Sequence, residues 1–268
     1  MTEQTHACLF EPDPKTRDFY LHALDLMDHS GARYVVGGGY AMACYTGIIR
    51  HTKDLDVFIK RADRDRVLAV FAKAGYETEL HWPHFLAKAM TEDAFVDILY
   101  SSANGLCVVD DAMLERPVDE EVLGRRAPLC PIEEMIWSKA FVQSRDRFDA
   151  ADIMHLIRAR AETIDWQRLR RRFRNGHERV LLSHLVLFGY VYPAERDRVP
   201  FAVIDELFAA ARDEPREERR VCRGTFLSND QYLFDVGKWG YADARLKPEG
   251  PLSFEEIASI SPTEIPSD

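Results

Sequence analysis

Apolar and polar positions recur with two different periods along this chain, and the change of period divides it. Over residues 15–30, Phe19, Ala23, Leu24, Leu26 and Met27 return at helical spacing and Gly31 follows as a stop signal, which predicts a first helix. Residues 33–36 read as a short buried strand, 40–45 as a helix ending near Gly47, and 55–60 as a second strand. Residues 64–74 are amphipathic at helical period and close at Gly75; strand candidates follow near 78–81, 85–90 and 94–100. Helices and strands interleave, so roughly the first 105 residues are expected to form an α/β sheet.

From Pro131, a residue well suited to a first helical turn, the pattern is helical throughout. Residues 132–145, 148–160, 165–174, 178–191 and 200–212 read as helices, with breaks at Asn175-Gly176 and Pro193. Beyond 214 the periodicity fades and five of the 13 prolines occur. The expected organisation is therefore a sheet-bearing domain over 1–130, an all-helical domain over 131–214, and a wrapping tail over 215–268 with a disordered end.

Composition narrows the class. A chain of 268 residues, 46% hydrophobic and 30% charged, is ordinary for a soluble globular protein. No run approaches the ~20 apolar residues of a membrane span. Residues 1–6 have neither a basic nor an apolar leader region, so no secretory signal is expected. Five scattered cysteines, never at Cys-x-x-Cys spacing, fit reduced thiols in the cytoplasm. The net charge of −10 argues against an extended nucleic-acid track and leaves a local basic groove open.

The candidate chemistry lies in two short stretches. Gly37-Gly38-Gly39 follows the first strand, and the second strand opens with Asp54-Leu55-Asp56. Strand residues two apart share a face, so the two carboxylates stand side by side. At ~4 Å they would repel by roughly 4 kcal/mol at an effective dielectric near 20, which points to a divalent cation between them. Asp97, a lone carboxylate within the apolar stretch 94–100, needs a partner: either a lysine or arginine, or the same cation as a third ligand. The glycines let backbone approach a phosphate, or simply make a tight turn. A dinucleotide-binding fingerprint fits poorly, because Met42 stands where a third small residue belongs and both acids open the second strand. Arg168, Arg170, Arg171, Arg172 and Arg174, interleaved with Leu169 and Phe173, read as a solvated helix face or as an RNA or triphosphate surface. The histidines form no metal cluster.

Gly37-Gly38, then Arg50-x-Thr52-x-Asp54-x-Asp56, then Asp97, resemble the nucleotidyltransferases of the DNA polymerase β superfamily. The likeness is nearest to the minimal bacterial branch with AbiEii-type toxins and antibiotic nucleotidyltransferases. It extends to Lys139 and to Arg147-Phe148-Asp149-Ala150-Ala151-Asp152. The resemblance implies a small mixed-sheet core followed by a helical domain, and transfer of a nucleoside monophosphate from an NTP such as ATP to a hydroxyl, with pyrophosphate released. Asp54, Asp56 and Asp97 would be the catalytic metal ligands for Mg²⁺ or Mn²⁺, and Asp97 could receive the acceptor's proton. Gly37, Gly38, Gly39, Arg50, Thr52, Lys139, Arg147, Asp149 and Asp152 would bind nucleotide. The chain departs from the family at Gly39, where a serine is frequent. The acceptor (tRNA, protein or small molecule) stays open. The rival expectation is a catalytically silent nucleotide-binding or protein-interaction module with the same fold.

Overall fold

A computed structural model describes residues 12–260. The expectations for residues 1–6 and for the extreme end of the tail fall on residues outside that range. The chain forms two compact units: residues up to 102 together with 108–131, and residues 103–107 together with 132 onward.

The first unit opens with α1 (Pro14–His29), where Asp13 Oδ1 accepts the N–H groups of Lys15 and Thr16 and Pro14 occupies the first turn. Phe19, Ala23, Leu24 and Met27 of the predicted set are buried and joined by Tyr20, whereas Leu26 is only half-buried. Then come β1 (Tyr34–Val36), α2 (Gly38–Thr46), β2 (Asp54–Ile59), α3 (Arg64–Lys73), β3 (Glu77–Trp82), β4 (Leu86–Met90) and β5 (Phe95–Leu99). The two-residue strands β6 (Ser101–Ser102) and β7 (Cys107–Val108) and the short α4 (Asp111–Leu114) precede a hairpin of β8 (Val118–Val122) and β9 (Arg125–Leu129).

One mixed seven-stranded sheet runs in the order β3-β4-β5-β2-β1-β9-β8. β2 pairs with β5 in parallel and with β1 antiparallel, so it is an interior strand. Leu55, Val57 and Ile59 on β2 and Val96 and Ile98 on β5 are fully buried. The β8–β9 hairpin extends the sheet beyond the expected 105 residues. Its two-residue turn, Leu123-Gly124, has positive φ at both positions. Leucine there, in place of the asparagine or aspartate that usually marks such a turn, hid the hairpin in the sequence.

In the second unit, α5 (Ile132–Ala140), α6 (Ala150–Arg160), α7 (Trp166–Arg172), α8 (Glu178–Val191) and α9 (Phe201–Asp213) follow the predicted helical pattern, with α5 ending five residues early. Ser144 accounts for the early stop: its Oγ donates to the Arg147 carbonyl and accepts the Arg147 N–H, turning the chain back before α6. Residues 215–260 carry β10 (Val221–Cys222), α10 (Leu233–Gly237), β11 (Ala242–Asp243) and α11 (Phe254–Ile260). They are fastened by the fully buried Arg245, whose guanidinium donates to both Asp243 oxygens and to Asn229 Oδ1. Among the described residues, Cys107, Cys130 and Cys222 are free thiols. Among the described residues no helix is long and apolar enough to cross a membrane.

Candidate functional site

Parallel pairing of β2 with β5 sets Asp54 opposite Phe95 and Asp56 opposite Asp97. Because alternate residues leave a strand on opposite faces, the buried set Leu55, Val96 and Ile98 commits the three aspartates to the other face. Each offers an oxygen within 4.8 Å of the other two. At that spacing each pair of unit charges repels by roughly 3–4 kcal/mol at an effective dielectric near 20. Sheet hydrogen bonding therefore holds together three anions that would otherwise separate.

Neighbouring residues fix how these carboxylates sit. Thr52 Oγ1 donates to Asp54 Oδ1 at 2.6 Å. Tyr20, fully buried on α1, donates its hydroxyl to the Lys53 carbonyl at 3.0 Å and pins the segment that leads into β2. Asp97 has both partners that the sequence offered as alternatives. Lys88 Nζ on β4 donates to Asp97 Oδ1 at 2.7 Å while the Asp54–Asp56–Asp97 cluster stays intact. Burial pushes the Asp97 carboxyl above the ordinary carboxylate range, aided by the charge of Asp54 and opposed by Lys88.

Sequence reasoning missed Lys88, although a signal was present. It is the lone charged residue of an apolar strand, as Asp97 is of the next, and antiparallel pairing of β4 with β5 sets them opposite each other. Glu79 on β3 continues the row beside Lys88, and His81 Nδ1 lies 3.0 Å from Glu79 Oε1.

The three glycines have separate steric reasons, all on the segment they face. A Cβ on Gly37 would lie 2.2 Å from the Phe58 ring, one on Gly38 1.6 Å from Asp56 Oδ2, and one on Gly39 3.0 Å from Thr52 Cβ. Gly38 also has φ +54°. The turn thus brings the start of α2 against the carboxylates themselves. No side chain caps that helix start, and its first-turn N–H groups suit an anion. Gly39 leaves the space where a serine would crowd Thr52. Arg50 is exposed on the segment between α2 and β2.

Lys139, Arg147, Asp149 and Asp152 form their own cluster in the second unit. Lys139 Nζ donates to Asp149 at 3.0 Å and to Asp152 at 2.8 Å, and Arg147 makes a bidentate pair with Asp149. Two cations meet two anions, with Asp149 only 9% exposed. Burial pushes Asp149 up, but Arg147 and Lys139 hold it below the usual carboxylate range. A continuous helix would separate residues 139 and 149 by about 15 Å, so the reversal at Ser144 is what joins them.

Of the five arginines at 168–174, Arg171 and Arg174 are exposed, whereas Arg168, Arg170 and Arg172 are engaged within the fold. Arg168 and Arg172 are 11% exposed and donate to Oε1 of the fully buried Glu134. Arg172 also covers the Trp137 ring at 4.8 Å, and Arg170 pairs with Glu206.

Residues 20–117 match the model of the aminoglycoside-2''-adenylyltransferase family. No curated protein matches the chain. Among solved structures, the chain is similar to the antibiotic-resistance factor ANT(2'')-Ia, with 19% identity and a TM-score of 0.43 over 61% of this chain and 93% of that one. It is also similar to the lincosamide antibiotic adenylyltransferase LnuA, lincomycin-bound, at 21% identity and a TM-score of 0.38 over 52% and 94% of the two chains. JHP933 from Helicobacter pylori shares 12% identity at a TM-score of 0.34 over 85% and 98%. Residues 20–117, the part of the chain that matches this family model, hold the glycine turn and all three aspartates.

Proposed function

We propose that this protein is a metal-dependent nucleotidyltransferase that moves a nucleoside monophosphate, adenylyl first among them, from an NTP to a hydroxyl acceptor and releases pyrophosphate. The observation that carries the reading is the convergence of Asp54, Asp56 and Asp97 beside the glycine turn. Three carboxylate oxygens on a rigid sheet are a hard donor set that suits Mg²⁺ or Mn²⁺. When bound, such an ion stabilises negative charge on phosphate oxygens and acidifies a hydroxyl.

The chain's own residues supply the rest. Asp54, held by Thr52, and Asp56, held against Gly38, are the cation ligands. Asp97 completes the set and is the proposed acceptor of the attacking hydroxyl's proton. The N–H groups at the start of α2 receive the outer phosphates of the NTP. Arg50 is proposed as a further nucleotide contact. The family match favours a hydroxyl-bearing small molecule of the aminoglycoside type as acceptor.

The test is pyrophosphate release from each NTP with Mg²⁺ or Mn²⁺ across a panel of aminoglycosides, other hydroxylated small molecules, tRNA and proteins. Transfer that disappears in Asp56→Asn supports the proposal. Tight Mg-NTP binding without transfer to any acceptor would move the reading to a silent nucleotide-binding module.

A further inference from the structure

We propose that Lys88 is the internal counter-cation of the aspartate triad, holding Asp97 in place and setting how tightly the site takes a divalent cation. The inference rests on the reading of the triad as a metal site. It adds to that reading a residue from a different strand.

Lys88 lies on β4, an otherwise uncharged strand, and its side chain is only 14% exposed. The ammonium is held from two sides, 2.7 Å from Asp97 Oδ1 and 3.9 Å from the centre of the Phe95 ring. Phe95 and Asp97 are two residues apart on β5 and share a face. An aromatic face and a carboxylate together fix a point charge that would otherwise swing on a flexible stem. The antiparallel register of β4 on β5 sets Lys88 opposite Asp97.

The charge count gives the consequence. Lys88 offsets one unit of the negative charge that the three aspartates carry when ionised. Without Lys88 the metal-free protein would hold Asp97 close to Asp54 and Asp56 without the ammonium that now offsets its charge. With Lys88, an arriving cation meets a positive charge already seated on one of its ligands. Lys88 therefore stabilises the empty site and moderates affinity for the ion, which favours release after each turnover.

The experiment measures Mn²⁺ binding to the full chain by electron paramagnetic resonance at constant pH, without nucleotide, alongside melting in EDTA and in saturating Mn²⁺. Lys88→Met keeps the stem length and removes the charge; it is expected to bind Mn²⁺ about tenfold more tightly. It is also expected to melt below the parent in EDTA, with the gap narrowed by Mn²⁺. Lys88→Arg keeps the charge and is expected to stay within about twofold of the parent. If Lys88→Met does not fold without metal, Lys88→Gln reads the same quantity. Unchanged or weaker binding in the neutral variants, with normal parental binding lost in Asp56→Asn, overturns the role of Lys88 alone. A parent that binds no Mn²⁺ overturns the metal reading, and this inference with it.

Discussion

The carboxylate of Asp56 fills the space that any side chain at residue 38 would need, since a Cβ on Gly38 would fall 1.6 Å from Asp56 Oδ2. Gly38→Ala therefore combines left-handed backbone strain of about 1–2 kcal/mol with displacement of a proposed metal ligand. Gly47→Ala is the control, because Gly47 has φ +70° and nothing within 4 Å of its would-be Cβ. Calorimetry and Mn²⁺ titration are expected to show a modest loss of stability in both variants and a loss of cation binding in Gly38→Ala only.

Asp56→Asn separates chemistry from folding. It removes one charge without changing shape, so the variant is expected to fold as the parent does. Transfer is expected to fall by about a thousandfold or more, corresponding to several kcal/mol of lost transition-state stabilisation. Pyrophosphate release and thermal melts on the same preparations check both halves.

Lys139 is the hub of the second cluster. Lys139→Met leaves Asp149 and Asp152 without their shared ammonium in a site where both are mostly buried. Urea unfolding is expected to show a loss of about 3–5 kcal/mol. Adding Asp152→Asn is expected to recover part of it, because one of the two largely buried negative charges disappears.

Glu133 gives a pH signature independent of the active site. It is buried, its Oε1 accepts the Asp165 N–H at 2.7 Å, and burial pushes its carboxyl above the ordinary value. Just above the unfolded pKa the native chain keeps a proton that the unfolded chain has released. Its contribution to stability therefore falls as pH rises from about 4.5 through the raised folded value, then levels off. Glu133→Gln keeps the acceptor and loses the titration. Its stability relative to the parent is expected to increase across that window and stay constant above it, as read by urea midpoints over a pH series.

Much of this was legible in the chain. Strand alternation alone put Asp54 and Asp56 on one face, and the apolar surroundings of Asp97 required a partner for it. What local pattern could not supply was pairing between strands: whether Asp97 would meet the other aspartates depended on β5 lying parallel beside β2. The same limit concealed Lys88, whose role comes from register across a hairpin, and Glu134, which gathers arginines from a separate helix. The glycines were read as a seat for phosphate; their contacts with Phe58, Asp56 and Thr52 require three-dimensional proximity.

The interior position of β2 has a wider consequence. A strand bonded on both edges cannot slide or tilt by itself, so the acidic floor is as stiff as the sheet that bears it. Change in what such a chain accepts is then cheapest in the exposed stretch 47–53 and in surface groups around the floor. The three carboxylates can in this way keep their spacing while the surface around them changes.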